Sequence, residues 1–300
     1  MQEKPKAAKS AKTPEMKSSV TLSHPDKLLW PREKISKSGL LDHYRLVWPR
    51  MEPFVVERPL ALVRAPDGVE GERFFQKHAS PGMSDHIHRA TDPEDGEEIL
   101  YIKDFDGLAA LVQIGVVEVH VWGAMIDRID LPDQIVFDLD PDEGIGPDRV
   151  RDAALDIRSR LDKLSLPAFV KTSGGKGYHV VVPLKPEAGW SEVKGFAHDF
   201  AQAMEQAAPE RFTATLSKKA REGRIFIDYL RNGRGSTTVA PYSSRAKKGA
   251  TVAMPVRWDE VEAGVAPDAF PLGGRATLRR LAQDDPWADF FSRGKLLDRK

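Results

Sequence analysis

"KTSGGKGYHVVVPL", residues 171–184, is the stretch of sequence that decides the fold. A loop with three glycines, one lysine and one histidine leads into a row of β-branched residues, and the strand-like run "PAFVKTS" precedes it. A P-loop lysine is followed by Ser or Thr at the start of a helix, whereas Gly177 and a strand follow Lys176 here. The S-x-x-K pattern of Ser173 and Lys176 also needs a helical turn, which the glycines disfavour. The stretch therefore predicts a strand, a loop and a second strand.

This glycine loop has the composition of a phosphate-binding loop. Its backbone amides can form an anion nest, to which Ser173 would add a hydroxyl donor and Lys176 or His179 a charged donor. A glycine hairpin with incidental polar residues, which binds no phosphate, would have the same sequence pattern. The position of the loop, between a D-x-D strand and a third aspartate strand, favours phosphate binding.

The D-x-D strand is "QIVFDLDP", residues 134–141. Side chains alternate across a strand, so Asp138 and Asp140 share one face while Phe137 and Leu139 share the other. Two carboxylates this close repel each other, and a bound Mg²⁺ or Mn²⁺ would relieve both. Two acids on a solvated strand end are the structural alternative.

The third aspartate strand is "RIFIDYLRN", in which Asp228 is a lone carboxylate among apolar residues. A buried, unpaired charge is costly, so Asp228 needs either a metal or a basic side chain such as Arg231. Three carboxylates from two strands are the minimal ligand set for two-metal phosphoryl transfer.

Two other groups of acidic or histidine side chains do not predict a metal site. Asp104 and Asp106 also form a D-x-D, but they precede a helical apolar pattern and are interpreted as capping residues. His78, His86 and His88 lack cysteines and a recognisable ligand spacing, so they do not predict bound zinc.

Composition limits the function classes. The 300 residues are 41% apolar and 30% charged, with 45 basic and 45 acidic side chains. A net charge of zero argues against a protein that coats DNA, but an enzyme needs only a local basic patch. The absence of cysteine removes disulfides and thiol catalysis and agrees with a reducing, cytoplasmic setting. No apolar run reaches membrane-spanning length and no signal peptide is visible.

We predict a flexible basic tail or inter-domain linker over residues 1–20 and one domain over residues 21–300. Apolar stripes predict a helix ended by Pro49, a second helix capped by Asp148 that buries Leu164 in its stripe, and a third helix over residues 190–209. Strand-like runs lie between them without regular βαβ repeats. The expected fold is α/β or α+β, with a mixed central sheet flanked by helices.

The three motif blocks, "DLD", "SGGKGYH" and "IDYLRN", resemble in order and spacing the archaeo-eukaryotic primase superfamily. More narrowly, they are similar to the polymerase domain of bacterial ATP-dependent DNA ligase D. This resemblance extends from about Leu22 to the C-terminus and implies a primase-polymerase catalytic core of RRM-like type.

The resemblance also implies roles for the motif residues. Asp138, Asp140 and Asp228 would hold two divalent metals, Mn²⁺ or Mg²⁺. The nucleoside triphosphate would be bound by residues of the loop, of two later segments and of the run "VVEVHVWGA", namely Ser173, Gly174, Gly175, Lys176, His179, Arg231, Arg245 and His120.

Two further segments would contact DNA. "SHPDKLLWPREKISKS" resembles the pocket of the family for a DNA 5′-phosphate, with Lys27 and Lys37 as its lysines and His24 at a position where asparagine occurs in the family. In "GERFFQKH" the side chains of Phe74 and Phe75 must diverge if the segment is extended, so at least one is available to stack on a template base.

The implied function is a nucleotidyltransferase that adds ribo- or deoxyribonucleotides to a 3′-hydroxyl at breaks and gaps with a 5′-phosphate, with or without a template, in bacterial non-homologous end joining. Expected partners are such DNA ends, nucleoside triphosphates, Ku, and covalently linked ligase and phosphoesterase domains. The expected location is the cytoplasm, at the nucleoid. A two-metal nuclease or phosphoesterase is the nearest alternative, although it needs no pyrophosphate site. A non-catalytic DNA-end-binding module would not need clustered carboxylates.

Overall fold

Two six-stranded β-sheets organise the computed structural model, which describes residues 16–297. The strands are β1 Leu28–Trp30, β2 Ile35–Ser36, β3 Leu60–Arg64, β4 Phe74–Gln76, β5 His88–Thr91, β6 Glu98–Tyr101, β7 Val116–Val121, β8 Gln134–Pro141, β9 Phe169–Thr172, β10 Tyr178–Pro183, β11 Phe212–Thr213, β12 Ile225–Asp228, β13 Thr238–Val239 and β14 Pro255–Val256. The α-helices are α1 Lys37–Met51, α2 Phe105–Gln113, α3 Pro147–Lys163, α4 Trp190–Ala207, α5 Trp258–Glu262 and α6 Arg275–Leu281. The predicted mixed α/β class is confirmed.

The first sheet has the order β11-β12-β8-β10-β9-β14 and is mixed, since β11 and β12 are parallel and the other neighbours antiparallel. Its register pairs Asp228 with Asp138, Asp138 with His179, and His179 with Lys171. Residues directly opposite on neighbouring strands point to the same face. Four polar side chains therefore form one row across four adjacent strands, which we call the polar row.

The two faces of this sheet are packed differently. Ile135, Phe137 and Leu139 of β8 point into the main hydrophobic core, where α3 and α4 contact β8. On the opposite face Val136 and Val181 lie in a separate apolar cluster with four aromatic residues, Phe54, Phe169, Trp287 and Phe290. Two residues further along β8 the same face carries Asp138. One face is thus apolar at one end and charged at the other.

The second sheet has the order β13-β7-β3-β6-β5, with β4 paired to β3. It meets the first sheet where Lys171 Nζ donates to the Val239 carbonyl at 3.0 Å. The space between the sheets beside this contact is a cavity of only about 10 Å³, lined by Val121, Val136, Val181 and their neighbours. A cavity of that size barely reaches what one water molecule needs, so the junction of the sheets is closely packed.

A buried ion pair stabilises the junction of the two sheets at the beginnings of β3 and β8. Arg58, just before β3, donates through Nη1 and Nη2 to the carboxylate of Asp133, just before β8, at 2.9 and 2.5 Å. Both side chains are buried. A bidentate pair of this kind fixes orientation as well as distance, so it holds the beginnings of β3 and β8 in register.

Two predicted helix boundaries were wrong. Pro49 does not end α1, which continues to Met51, because Trp48 and Met51 are buried and their packing outweighs the hydrogen bond that proline lacks. Asp148 is not the cap of α3. The helix begins at Pro147, whose fixed φ suits the first helical position, and Gly146 is the capping residue.

Two further expectations concern residues beside helices. Leu164 was expected in the buried stripe of α3, but the helix ends one residue earlier and Leu164 is 53% exposed. Asp104 was expected to cap α2, and its carboxylate does accept the Gly107 amide at 2.9 Å. The neighbouring Asp106 has a different role, since Ser18 Oγ donates to it at 2.6 Å and Ser19 N at 3.0 Å.

The predicted tail, residues 1–20, falls largely on residues outside the described range. The part that is described, residues 16–20, lies against α2 through the serine contacts to Asp106. The boundary at residue 21 stays a prediction.

The glycine at position 177 has a steric function that a stability measurement can test. A Cβ atom there would overlap the backbone oxygen of Leu139, whereas a Cβ on Gly175 would meet only the end of the flexible Lys247 side chain. We expect Gly177→Ala to lower the free energy of unfolding by about 1–3 kcal/mol, the usual cost of overpacking. Gly175→Ala is the matched control and should melt close to wild type in a denaturation series. Equal melting of both variants would contradict this account.

Candidate metal and nucleotide site

Three carboxylates gather at the charged end of the first sheet. Asp138 and Asp140 come from β8 and Asp228 from β12, and one oxygen of each lies within 4.8 Å of the others. Among residues 16–297 no other group of three potential metal ligands meets that distance. His78, His86 and His88 are accordingly not part of such a group. The structure brings Asp228 together with Asp138 and Asp140, the two acids that strand alternation predicted to share a face.

Burial makes these carboxylates electrostatically costly without a cation. Burial, followed by the charge of Asp140, raises the pKa of Asp138 from 3.8 to about 7. Burial also raises the pKa of Asp228, against the opposing charge of Arg231. Asp140 is the open member, with its side chain 47% exposed. An all-oxygen donor set with one accessible side fits a divalent cation such as Mg²⁺ or Mn²⁺.

Arginines already balance part of this negative charge. Arg231 Nε lies 3.0 Å from Asp228 Oδ2 and 3.5 Å from Asp138 Oδ2, so the basic partner that the sequence offered for Asp228 is in contact with it. Arg221 lies over the Phe226 ring at 3.8 Å, with one nitrogen 4.0 Å from Asp140 Oδ2. Arg221 was missed by the sequence analysis because only its place beside β12 connects it to the acids.

His179 connects the acids to a buried lysine. Its Nε2 lies 3.3 Å from Asp138 Oδ1 and its Nδ1 lies 3.0 Å from Lys171 Nζ. A protonated lysine can only donate, so Nδ1 accepts and the ring proton sits on Nε2, facing the carboxylate. Burial, then the charge of Lys171, lowers the pKa of His179 well below its usual range. His179 is therefore a neutral donor rather than a charged one.

Lys171 itself was missed by the sequence analysis. It is fully buried, and burial, together with the charge of Arg245, lowers its pKa to about 7. A signal was present, since Lys171 follows the apolar pair Phe169 and Val170 within a buried strand. The same signal, a lone charge in an apolar strand, had singled out Asp228.

The glycine loop is the predicted hairpin between β9 and β10, and the amides of its three glycines already have partners. Ser173 Oγ accepts from Gly175 N and Gly177 N, both at 3.2 Å, and Gly174 N donates to the Pro267 carbonyl at 3.0 Å. Because both lone pairs of Ser173 Oγ accept in this way, the hydroxyl proton is left to act as a donor. Lys176 is exposed at the tip of the loop.

Two further predicted nucleotide-binding residues meet on one carboxylate. His120 Nε2 lies 2.8 Å from Glu118 Oε2, and Arg245 Nε lies 3.1 Å from Glu118 Oε1. Arg245 also donates to the Ser173 carbonyl, which connects this group to the glycine loop. Burial alone would raise the pKa of Glu118, but the hydrogen bond from His120 and the charge of Arg245 outweigh it and hold the pKa at about 2. Glu118 was also missed by the sequence analysis.

Phe74 and Phe75 both lie outside the core, 40% and 52% exposed. Phe74 is covered by the Arg64 guanidinium at 5.1 Å. Phe75 contacts the His120 ring edge to face, with ring centroids 5.8 Å apart. The diverging side chains inferred from the sequence are thus available on the surface next to the nucleotide-binding candidates.

The lysines assigned to a 5′-phosphate pocket lie near the start of α1, in a different part of the fold from the acidic triad. Lys37 Nζ donates to the carbonyls of Ser23 and Gln113 at 2.9 and 3.1 Å, and Lys27 Nζ pairs with Asp67 at 3.1 Å. Burial, then the charge of Lys27, lowers the pKa of Lys37. Lys37 therefore also has a structural role. His24 occupies the left-handed region, with φ of 51°.

Known proteins are similar to this chain in sequence and in fold. The sequence profile of the LigD primase-polymerase domain matches residues 36–287. The multifunctional non-homologous end joining protein LigD of Pseudomonas aeruginosa is 41% identical over 276 residues, 90% of this chain and 33% of that protein. The bifunctional LigD of Bacillus subtilis is 30% identical over 268 residues, 89% of this chain and 43% of that protein. The polymerase domain of Mycobacterium tuberculosis ligase D, solved in complex with DNA, matches with a TM-score of 0.82 at 30% identity, covering 92% of this chain and 99% of that one.

A mixed sheet that carries three clustered carboxylates beside a glycine hairpin, together with the match to a solved polymerase domain, defines a nucleotidyltransferase domain of the primase-polymerase class. This chain belongs to the LigD primase-polymerase family, whose proteins act in non-homologous end joining. It spans about a third of the length of the Pseudomonas relative, at 33%. No helix within residues 16–297 is long and apolar enough to cross a membrane.

The raised pKa of Asp138 predicts how stability depends on pH in the metal-free protein. Between about pH 4 and pH 7 the folded protein keeps a proton on Asp138 that the unfolded chain has released, so this group destabilises the fold increasingly as pH rises. We expect Asp138→Asn to raise the melting temperature more at pH 8 than at pH 5. The exposed Asp127→Asn is the control. Added MnCl₂ should stabilise wild type and not Asp138→Asn. A melting difference that is independent of pH would contradict the assignment.

Proposed function

We propose that this domain adds nucleotides to the 3′-hydroxyl of broken or gapped DNA carrying a 5′-phosphate, with or without a template, during bacterial non-homologous end joining. The observation that carries the proposal is the polar row, with Asp140 at the open edge beside Asp138 and Asp228. The acids proposed to hold the cations then share a face with His179, the strand of which follows directly on the glycine loop proposed to hold the phosphates.

Asp138, Asp140 and Asp228 would hold two divalent cations, which when bound would activate the 3′-hydroxyl and neutralise the triphosphate. Manganese is the metal we propose, with magnesium as the alternative. The protein side chains would supply orientation: the Ser173 hydroxyl, the exposed ammonium of Lys176 and the Arg245 guanidinium would grip phosphates around the loop. Arg231 would move its charge from the carboxylates to a phosphate when cations arrive. Positioning and charge stabilisation would carry the catalysis.

The alternatives are a two-metal nuclease or phosphoesterase and a non-catalytic module. The cationic surroundings of the loop, with Arg245 bonded to the Ser173 carbonyl and Lys247 next to Gly175, favour a triphosphate substrate over simple hydrolysis. The cost of gathering three acids favours a metal enzyme over a module that only binds ends.

The proposed partners follow from the family. The structural relative was solved in complex with DNA, which supports DNA ends as ligands of this chain. The P. aeruginosa relative is described as multifunctional and is about three times as long, which supports linkage to ligase and phosphoesterase domains. Ku is the proposed end-binding partner, and repair at the nucleoid is the proposed setting.

Variants of the loop test the nucleotide assignment. Lys176→Ala and His179→Ala should each lower kcat/KM for the nucleotide roughly tenfold to hundredfold in primer extension with labelled ATP or dATP on a 5′-phosphorylated gap. Lys176→Ala removes the exposed ammonium proposed to grip a phosphate, and His179→Ala removes the donor that faces the Asp138 carboxylate. The affinity for the gapped DNA, measured by fluorescence anisotropy, should stay close to wild type.

Lys163→Ala, at the end of α3, is the control for general loss of positive charge. If the loop variants keep wild-type nucleotide kinetics but melt at a lower temperature, the loop is only a structural hairpin. A fall in DNA affinity that matches the fall in kcat/KM would assign it to the DNA backbone.

The 5′-phosphate pocket is tested on paired DNA substrates. Lys27→Ala, alone and with Lys37→Ala, should weaken binding to 5′-phosphorylated gaps much more than to the same gaps with a 5′-hydroxyl, because a phosphate pocket distinguishes these ends. Melting is measured in parallel, since Lys37 also holds the carbonyls of Ser23 and Gln113. Equal weakening on both substrates would indicate diffuse electrostatic attraction.

A further inference from the structure

We infer that Glu118 is a positioning residue of the nucleotide site, a buried carboxylate that holds His120 and Arg245 in their binding orientations and thereby connects the template side of the site to its phosphate side. This inference rests on the proposed function. Glu118 itself would touch neither the nucleotide nor the metals.

Both carboxylate oxygens of Glu118 have partners. One carboxylate oxygen accepts the Ala246 amide at 2.6 Å and lies 3.1 Å from Arg245 Nε. The other oxygen lies 2.8 Å from His120 Nε2. The side chain is 7% exposed, so these contacts form where water does not compete well for them.

Each partner of Glu118 leads to a different part of the site. His120 carries the edge contact to Phe75, one of the two exposed phenylalanines proposed to stack on a template base. Arg245 donates to the Ser173 carbonyl at the start of the glycine loop. Ala246 begins the segment whose next residue, Lys247, reaches over Gly175. Glu118 thus joins two segments that are far apart in sequence, its own strand β7 with His120 and the segment that begins with Arg245 and Ala246.

The charge of Glu118 matters as well as its shape. Arg245 and Lys171 face His120 from the segment after β13 and from β9, and both disfavour the imidazolium. His179, on β10, is a further titratable group close enough to influence it electrostatically. Burial is the largest cause that lowers the pKa of His120, and the hydrogen bond and charge of Glu118 are the opposing influences. Neutralising Glu118 therefore lowers the pKa of His120 further.

The test is Glu118→Gln, which keeps the size of the side chain and an acceptor for Ala246 but removes the charge. Nucleotide kcat/KM in Mn²⁺-dependent primer extension should fall roughly tenfold to hundredfold, through KM more than kcat, with unchanged affinity for 5′-phosphorylated gapped DNA. In the pH profile of nucleotide kcat/KM, the limb that depends on protonation of His120 should move to lower pH. A merely structural lesion would lower the whole profile without moving it.

Two variants complete the design. Asp92→Asn is the matched control, because Asp92 is also buried, paired with an arginine and bonded to a backbone amide, but its partners Arg234 and Glu94 are not assigned to the nucleotide. Glu118→Asp keeps the charge while shortening the reach. It should raise KM and move the pH profile less than Glu118→Gln does, because the charge remains while the hydrogen bond to His120 is weakened. This variant also serves if Glu118→Gln folds poorly.

The outcomes separate this inference from the proposed function. Wild-type kinetics in Glu118→Gln, or a loss matched by Asp92→Asn with an unmoved pH profile, would overturn the positioning role while the function stands. A wild-type protein that neither incorporates labelled ATP or dATP nor binds Mn²⁺-ATP in calorimetry would overturn both. Raised KM with a shifted profile in Glu118→Gln alone supports the inference.

Discussion

The register of the first sheet is the constraint on which the site depends. Direct pairing of Asp228 with Asp138, of Asp138 with His179 and of His179 with Lys171 puts every member of the polar row on one face. A shift of one residue in any of these pairings would turn a whole strand of side chains to the other face. The apolar half of that face and the buried pair of Arg58 and Asp133 oppose such a shift. Packing remote from the chemistry therefore determines which groups meet there.

Charge is the second organising feature. The site concentrates buried acids and buried bases, and each would be costly alone. The structure distributes them so that opposite charges are in contact, with Arg231 on two carboxylates and Glu118 between His120 and Arg245. Solvent can reach this network at the exposed side chains of Asp140 and Arg231, and Lys176 is exposed on the glycine loop. The balance is local, which explains how a chain of zero net charge can carry an electropositive loop beside an acidic triad.

The sequence was informative where the chemistry follows a local period. Alternation along one strand predicted that Asp138 and Asp140 share a face, and the glycine pattern predicted the hairpin, because both depend on neighbours in the chain. The place of Asp228 beside them was inferred from the cost of burying a lone carboxylate and from the family resemblance. Lys171 and Glu118 depend on pairing between distant segments, so their partners could not be read from local pattern. Each nonetheless carries the mark that identified Asp228, a single charge inside an apolar strand. The helix ends at Pro49 and Asp148 were wrong because tertiary packing and the geometry of Pro147 outweighed local propensity.

The hydrogen bond from Lys171 to the Val239 carbonyl has a mechanical consequence. It joins the two sheets beside the space between them, where the remaining cavity is about 10 Å³. Opening the space between the sheets would break this hydrogen bond and expose closely packed apolar side chains, so it would be opposed. The turn Lys218–Arg221 and the stretch from Lys247 to Ala250 lie outside both sheets, and this junction does not hold them. A change of shape at the site would therefore meet less resistance in these segments than between the sheets.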